Sequence, residues 1–175
     1  MSESFAKSQQ DVVNVFLTGV TGFLGKVILE EIFRRRAEYK LGEVFILTRA
    51  KRGEDPESRF REQIVTSPCF RDLPKDWIKD VRVIEGDVSE DLCGIDPAIY
   101  KEICTKLTHI IHCAGSISFT LPIKEAAHTN VGGTMNVFGL AKNCLALQRL
   151  VATSTAYTMP DSLEAIHEDL PPLPY

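Results

Sequence analysis

Residues 15–26 read VFLTGVTGFLGK, an apolar run that breaks into three glycines, Gly19, Gly22 and Gly25. The stretch 12–18 before them is mostly apolar and rich in valine, the pattern of a strand buried on both faces. From Gly22 the period changes. Phe23, Leu24, Val27, Ile28, Ile32 and Phe33 recur at helical spacing, with Lys26, Glu30, Glu31 and arginines 34–36 on the other side. A strand that feeds a helix through such a turn can hold a phosphate. Gly19 permits the tight turn, Gly22 lets the backbone approach a pyrophosphate, and Gly25 lets the helix pack closely on the sheet. Thr21, Phe23 and Leu24 share that turn, and the helix start offers unpaired N–H groups and a partial positive charge. Three glycines alone also serve a plain structural turn; their place between a strand and an amphipathic helix favours the phosphate cradle.

Further strands are expected at 44–49, 81–86, 108–113 and 149–154, with helical segments near 56–66, 97–106 and 123–146. Alternation at this pitch predicts an α/β fold. It is a doubly wound parallel sheet of Rossmann type, with right-handed crossovers and a stop after about five strands. The stretch 51–80 is long for a crossover, and its prolines and lone Trp77 predict a helix plus a packed loop. Residues 1–11 are polar and lack an apolar core, so they are expected to be a loose leader rather than a signal peptide. Residues 12–175 then form one domain, ending in an acidic, proline-rich loop.

The ends of the strands supply the rest of a nucleotide site. The second ends in Leu47-Thr48-Arg49-Ala50-Lys51-Arg52, where an NAD-preferring site usually places an acid to accept from the ribose 2′-hydroxyl. Cations stand there instead. Arg49 can fork onto a 2′-phosphate with Arg52 or Lys51 assisting, which predicts NADP over NAD. After the third strand, Asp87-Val88 offers a carboxylate to the adenine amino group; after the fourth, Ala114 and Gly115 leave room for the cofactor.

Bulk properties exclude other classes. The chain of 175 residues is 44% hydrophobic and 25% charged with net charge −4, so no basic field points to nucleic acid or an anionic membrane. Five scattered cysteines form no C-x-x-C pair, which argues against a disulfide framework or a structural zinc and for free thiols in a reducing compartment. No run reaches the length of a membrane helix. The four histidines form no metal motif, His112 reads as a satisfied core residue, and no G-x-S-x-G elbow is present. Phe119 and Leu121-Pro122 either wall an apolar tail or cover the core.

With these residues assembled, the chain resembles the extended short-chain dehydrogenase/reductase superfamily, and within it the fatty acyl-CoA reductase (male-sterility) family. The resemblance rests on VFLTGVTGFLGKVILEEI, VFILTRAKRGEDPESRF, VIEGDVSEDLCGI, HIIHCAGSISFTLPIKEAAHTNVGGTMNV and RLVATSTAYTMPDSLEAIHEDLPPLPY. Departures are Gly115-Ser116, where relatives tend to have alanine-threonine, and His128-Thr129 before Asn130. The resemblance implies NADPH-dependent reduction of a long-chain acyl thioester, through an aldehyde, to a fatty alcohol. It implies a hydroxyl that positions the carbonyl, best matched by Thr155 and next by Ser154, and an Asn130 that organises the site from the start of its helix. It also implies a Tyr and a Lys four apart. None of Tyr39, Tyr100, Tyr157 and Tyr175 is followed by such a lysine, so the chain is expected to be an N-terminal fragment, inactive alone. The rival readings are a superfamily member acting on a sugar nucleotide and a non-catalytic dinucleotide-binding module. A cytoplasmic or cytosol-facing location is expected, with membrane attachment through absent segments left open. So is an exposed edge on the fifth strand that invites homodimerisation.

Overall fold

The computed structural model describes residues 12–50 and 53–155. The expected leader, Lys51, Arg52 and the proline-rich tail lie outside the described residues. Five strands, β1 (Val13–Thr18), β2 (Leu41–Thr48), β3 (Val81–Glu85), β4 (His109–His112) and β5 (Arg149–Ala152), form one parallel sheet in the order β3-β2-β1-β4-β5. The chain winds outward from β1 to β3, then crosses back to lay β4 on the other side of β1. That reversal opens a crevice between the ends of β1 and β4.

Side chains alternate along each strand and so separate two cores. Val15 and Leu17 of β1 with Val44 and Ile46 of β2 face Leu29, Ile32 and Phe33 of helix α1 (Phe23–Arg34), and Phe60 of α2 (Pro56–Phe60). Phe16, Phe45, Leu47, Ile84 and Ile110 face the opposite way. They meet Tyr100 and Ile103 of α3 (Pro97–Lys106) and Val137 and Leu140 of α5 (Gly133–Asn143). Helices therefore cover both faces, as the doubly wound pattern requires.

Several boundaries differ from the sequence expectations, three of them with a consequence for the fold or the site. β2 begins at Leu41 rather than 44, although Gly42 and Glu43 are poor strand formers. The cause is Asn14 on β1, whose Oδ1 accepts from the Glu43 N–H at 2.9 Å and whose Nδ2 donates to the Lys106 carbonyl at 3.0 Å. A Cβ on Gly42 would lie 2.2 Å from that Oδ1, so a larger residue there would displace the Asn14 side chain. The helix expected over 123–146 is broken. α4 (Ile123–Ala127) passes through a π-helical turn, His128–Gly132, into α5, which ends at Asn143. β5 stops at Ala152, leaving residues 153–155 beyond the sheet.

Within the long 51–80 stretch, the described residues from 53 onward pack as an aromatic cluster under α1 and α2. After α2 the chain makes a π-helical turn, Arg61–Val65, and two short 3-10 turns. They bring Trp77, 3% exposed, onto the ring of Phe70 at 4.8 Å and against Phe33 at 5.1 Å. β5 pairs only with β4 among the described residues, and Val151 on it is exposed.

Candidate cofactor site

The glycine turn is held at backbone contact with the β4 loop. Gly19 has φ +76°, and a Cβ there would lie 2.6 Å from the carbonyl carbon of Cys113. Gly22 N–H donates to the Gly19 carbonyl at 3.0 Å and closes the turn. Gly22 then caps α1 without a side-chain hydrogen bond, so the first N–H groups of the helix keep their donors and partial positive charge. Gly25 does allow close packing, but on the turn rather than the sheet: its Cβ would lie 2.3 Å from the Gly19 carbonyl oxygen. Gly22, by contrast, would bring a Cβ no nearer than 3.3 Å to any protein atom, so its small size serves the open side.

A cleft of about 570 Å³ runs along this crevice. Thr18, Gly19, Thr21 and Gly22 line its centre, Arg49, Asp87 and Val88 one end, and Ala114, Gly115 and Ser116 the other. The structure thus gathers most of the expected cofactor residues on one cleft. Phe23, Leu24 and Gly25 do not line it. Phe23 and Leu24 are exposed on the first turn of α1 and Gly25 is buried beneath it. Arg52 lies outside the described residues. Val88 is mostly core, buried under Gly133 of α5.

At the β2 end, Arg49 and Asp87 meet each other, with Nη1 and Oδ2 3.2 Å apart. Burial raises the Asp87 carboxyl, but hydrogen bonds from the Ser89 hydroxyl and N–H and from Arg49 outweigh it and hold the group below its ordinary value. Sequence reasoning missed Arg59. It lies on α2, is 7% exposed, lines the same cleft and donates from Nη1 to the Arg49 carbonyl. The available signal was its position beside Phe60 on the inward stripe of a helix capped by Asp55, whose carboxylate accepts from the Ser58 N–H. Two buried polar atoms, Arg59 Nε and Thr48 Oγ1, have no hydrogen-bond partner among the described residues, and both residues line the cleft. Buried polar groups without partners are rare in a finished site. They fit a polar ligand such as a dinucleotide.

At the β4 end, Thr18 Oγ1 accepts from the N–H groups of Cys113 and Ala114 at 3.2 and 3.1 Å. Its proton is then free to go to His112 Nδ1, 2.8 Å away. The Thr134 hydroxyl donates to the Asn130 carbonyl at 2.6 Å, so its oxygen accepts from His112 Nε2–H at 3.2 Å. His112 is a satisfied core residue held in one neutral tautomer, with burial pushing its pKa down. Asn130 does not open a helix. It sits inside the π-helical turn, and its amide clamps Ser116, accepting from the N–H at 2.7 Å and donating to the carbonyl at 3.0 Å. The wide turn turns Asn130 toward the loop, and Asn130 itself lies off the cleft lining. Phe119, 97% exposed, does not cover the core, whereas Leu121 lines the cleft. Thr153 N–H donates to the His112 carbonyl at 2.8 Å; Ser154 and Thr155 follow it, exposed and away from the cleft lining. Among the described residues no cluster could hold a metal ion, and no helix is long and apolar enough to cross a membrane.

A glycine turn feeding a bare helix start, at the switch point of a parallel sheet, defines an NAD(P)-binding domain of the Rossmann type. The pattern that describes the male sterility protein family matches residues 17–174, and the chain belongs to that family. It is 34% identical over 147 residues to the fatty acyl-CoA reductase wat of Drosophila melanogaster and 31% identical over 147 residues to fatty acyl-CoA reductase 1 of Homo sapiens. Each match covers 82% of this chain, and the chain spans 28% of the length of either relative. Among solved structures it is similar to the terminal R domain of the myxalamid PKS-NRPS pathway, with TM-score 0.75 and 25% identity over 91% of this chain and 39% of that one. The reductase domain of a nonribosomal peptide synthetase from Mycobacterium tuberculosis gives TM-score 0.66 and 29% identity over 83% of this chain and 34% of that one. The chain carries the nucleotide-binding domain of this reductase family.

Proposed function

We propose that the chain is the NADP(H)-binding portion of a reductase that converts a long-chain fatty acyl-CoA, or another acyl thioester, to the aldehyde or alcohol. The observation that carries the cofactor choice is the end of β2. Arg49 stands there on the cleft wall, with no acid at Leu47, Thr48 or Ala50 to accept from a ribose 2′-hydroxyl. The acyl thioester is supported by the fatty acyl-CoA reductases among the relatives and by the reductase domains among the structural neighbours.

When bound, NADPH supplies the hydride. The chain's residues do the holding. The N–H groups at the start of α1 would hold the pyrophosphate, Arg49 would hold the 2′-phosphate, and the small residues Ala114 and Gly115 would leave room for the nicotinamide half. Asn130 keeps the Ser116 loop from collapsing into that space. Thr155 or Ser154, past the end of β5, presents the hydroxyl that positions the carbonyl. In this reading the proton donor and the acyl groove belong to the longer protein. The five free cysteines and the need for NADPH agree with a compartment facing the cytosol.

The test is a full-length protein supplied with NADPH and palmitoyl-CoA, followed by loss of nicotinamide absorbance and by product analysis. Acyl-CoA-dependent oxidation of NADPH, with NADH at least about tenfold weaker in binding, is expected. Equal affinity for the two cofactors overturns the NADP assignment. Tight NADPH binding without turnover of any acyl thioester overturns the substrate.

A further inference from the structure

We propose that Cys104 and Cys144 are a redox pair, which a peroxide joins in a disulfide that staples the end of α3 to the end of α5. Cys104 lies in the last turn of α3, just before β4, and Cys144 caps α5, just before β5. Both belong to the same core cluster as Tyr100 and Ile103. The two chains are already tied here. The Leu145 N–H donates to the Cys104 carbonyl at 3.4 Å, and one turn back along α3 the Asn143 Nδ2 donates to the Tyr100 hydroxyl at 3.1 Å. Backbones joined in this way run about 5 Å apart, within the span that a disulfide bridges.

Beside these ties the two thiols share a hydrogen bond, in which Cys144 donates and Cys104 accepts. Burial pushes both thiols up, and the neighbouring Cys104 sulfur helps carry Cys144 to about 12, while the shared hydrogen bond acts to lower Cys104. The two roles therefore differ. Cys104 ionises more easily and is the attacking sulfur; Cys144 is the resolving one. The Cys104 thiolate breaks the O–O bond and keeps one oxygen as a sulfenic acid, while the other leaves as water. Cys144 then loses its proton and attacks that sulfur. The S–S bond forms as the second oxygen leaves as water, so two thiols are oxidised and one peroxide is reduced.

Access separates this pair from the other cysteines. Cys104 and Cys144 are 7% and 8% exposed at helix ends, where local opening is easiest, whereas Cys93 in the same cluster is 0% exposed. Cys69 packs against the opposite core, and the Cys113 thiol is engaged with the Thr153 hydroxyl at 3.2 Å. The cross-link closes a loop of about 40 residues, long enough to restrict the unfolded chain strongly.

The experiment treats the complete chain with hydrogen peroxide and blocks the remaining thiols with iodoacetamide. Linked peptides are then mapped by mass spectrometry, and melting is followed by calorimetry. A Cys104–Cys144 linkage is expected, with a melting temperature at least about 5 °C higher that dithiothreitol returns to its starting value. Cys104→Ala and Cys144→Ala should each lose this gain, and Cys93→Ala should keep it. If an alanine variant fails to fold, the peptide map and melt of the wild type decide. Linkage to a different cysteine, a sulfinic acid at either position, or a linked protein that melts no higher than the reduced one overturns the proposal.

Discussion

Replacing Gly25 by alanine is expected to destabilise the protein, although alanine is the better helix former. The reason lies in what a Cβ would meet. It would stand 2.3 Å from the Gly19 carbonyl oxygen, 2.7 Å from the Gly19 carbonyl carbon and 2.8 Å from the Val20 Cα, all backbone. Ordinary contact begins near 3.4 Å, and no flexible side chain stands there to yield. The start of α1 must therefore back away from the turn by about 1 Å in a close-packed interior. Overpacking of this kind costs about 1–3 kcal/mol, here at the upper end because three backbone atoms are involved. Helix propensity returns about 1 kcal/mol. The net loss is about 2 kcal/mol, a fall of about 4–8 °C in melting temperature for a chain of this size. Gly139, inside α5, is the control, since a Cβ there meets nothing within 4 Å. Gly139→Ala is expected to stabilise by about 0.5–1 kcal/mol. Thermal and urea melts of both variants read the two signs. A Gly25→Ala protein that melts at or above wild type would refute the reasoning, as would a common sign for the two substitutions.

Other consequences can be measured in the same way. Burial pushes the pKa of His112 down, and burial and Arg149 do the same to His109, so the unfolded chain takes up protons first as pH falls below about 6.5. Stability by urea melts should therefore be full near pH 8 and decline toward about pH 5.5, with His112→Asn flattening but not abolishing the slope. Asn130→Ala removes both hydrogen bonds to Ser116 and should cost about 1–2 kcal/mol. Nucleotide affinity should fall severalfold with no change in the preference between NADPH and NADH. Asp96 accepts from the N–H groups of Ala98 and Ile99 at the start of α3, so Asp96→Ala should cost about 1 kcal/mol and lower the melting temperature by about 2–4 °C.

The fold class was legible because it rests on local period. The valine-rich run before Gly19 can only be a buried strand, the spacing of Leu29, Ile32 and Phe33 only an amphipathic helix, and their repetition only a wound sheet. The glycine turn was legible for the same reason, as its geometry is set within seven residues. Gly25 was assigned the right property and the wrong neighbour, because close approach can be read from a glycine but its partner cannot.

What the tertiary structure decided are the contacts between segments distant in the chain. Asn14 extends β2 to Leu41 across 29 residues, and the π-helical turn aims Asn130 at Ser116, 14 residues away. Arg49 and Asp87 were each assigned separately to the nucleotide; folding sets them against each other across 38 residues. Arg59 drew no reading from the sequence; laying α2 on the sheet buries its charge with no carboxylate paired to it among the described residues. By itself the amino-acid order determined the strand, the turn and the helix of VFLTGVTGFLGK, since steric and hydrophobic rules act over a few residues. Which charged groups meet at the cleft was decided only by packing. Burial and pairing are properties of the assembled sheet, and they set whether a guanidinium is an ordinary surface group or a buried cation on the cleft wall.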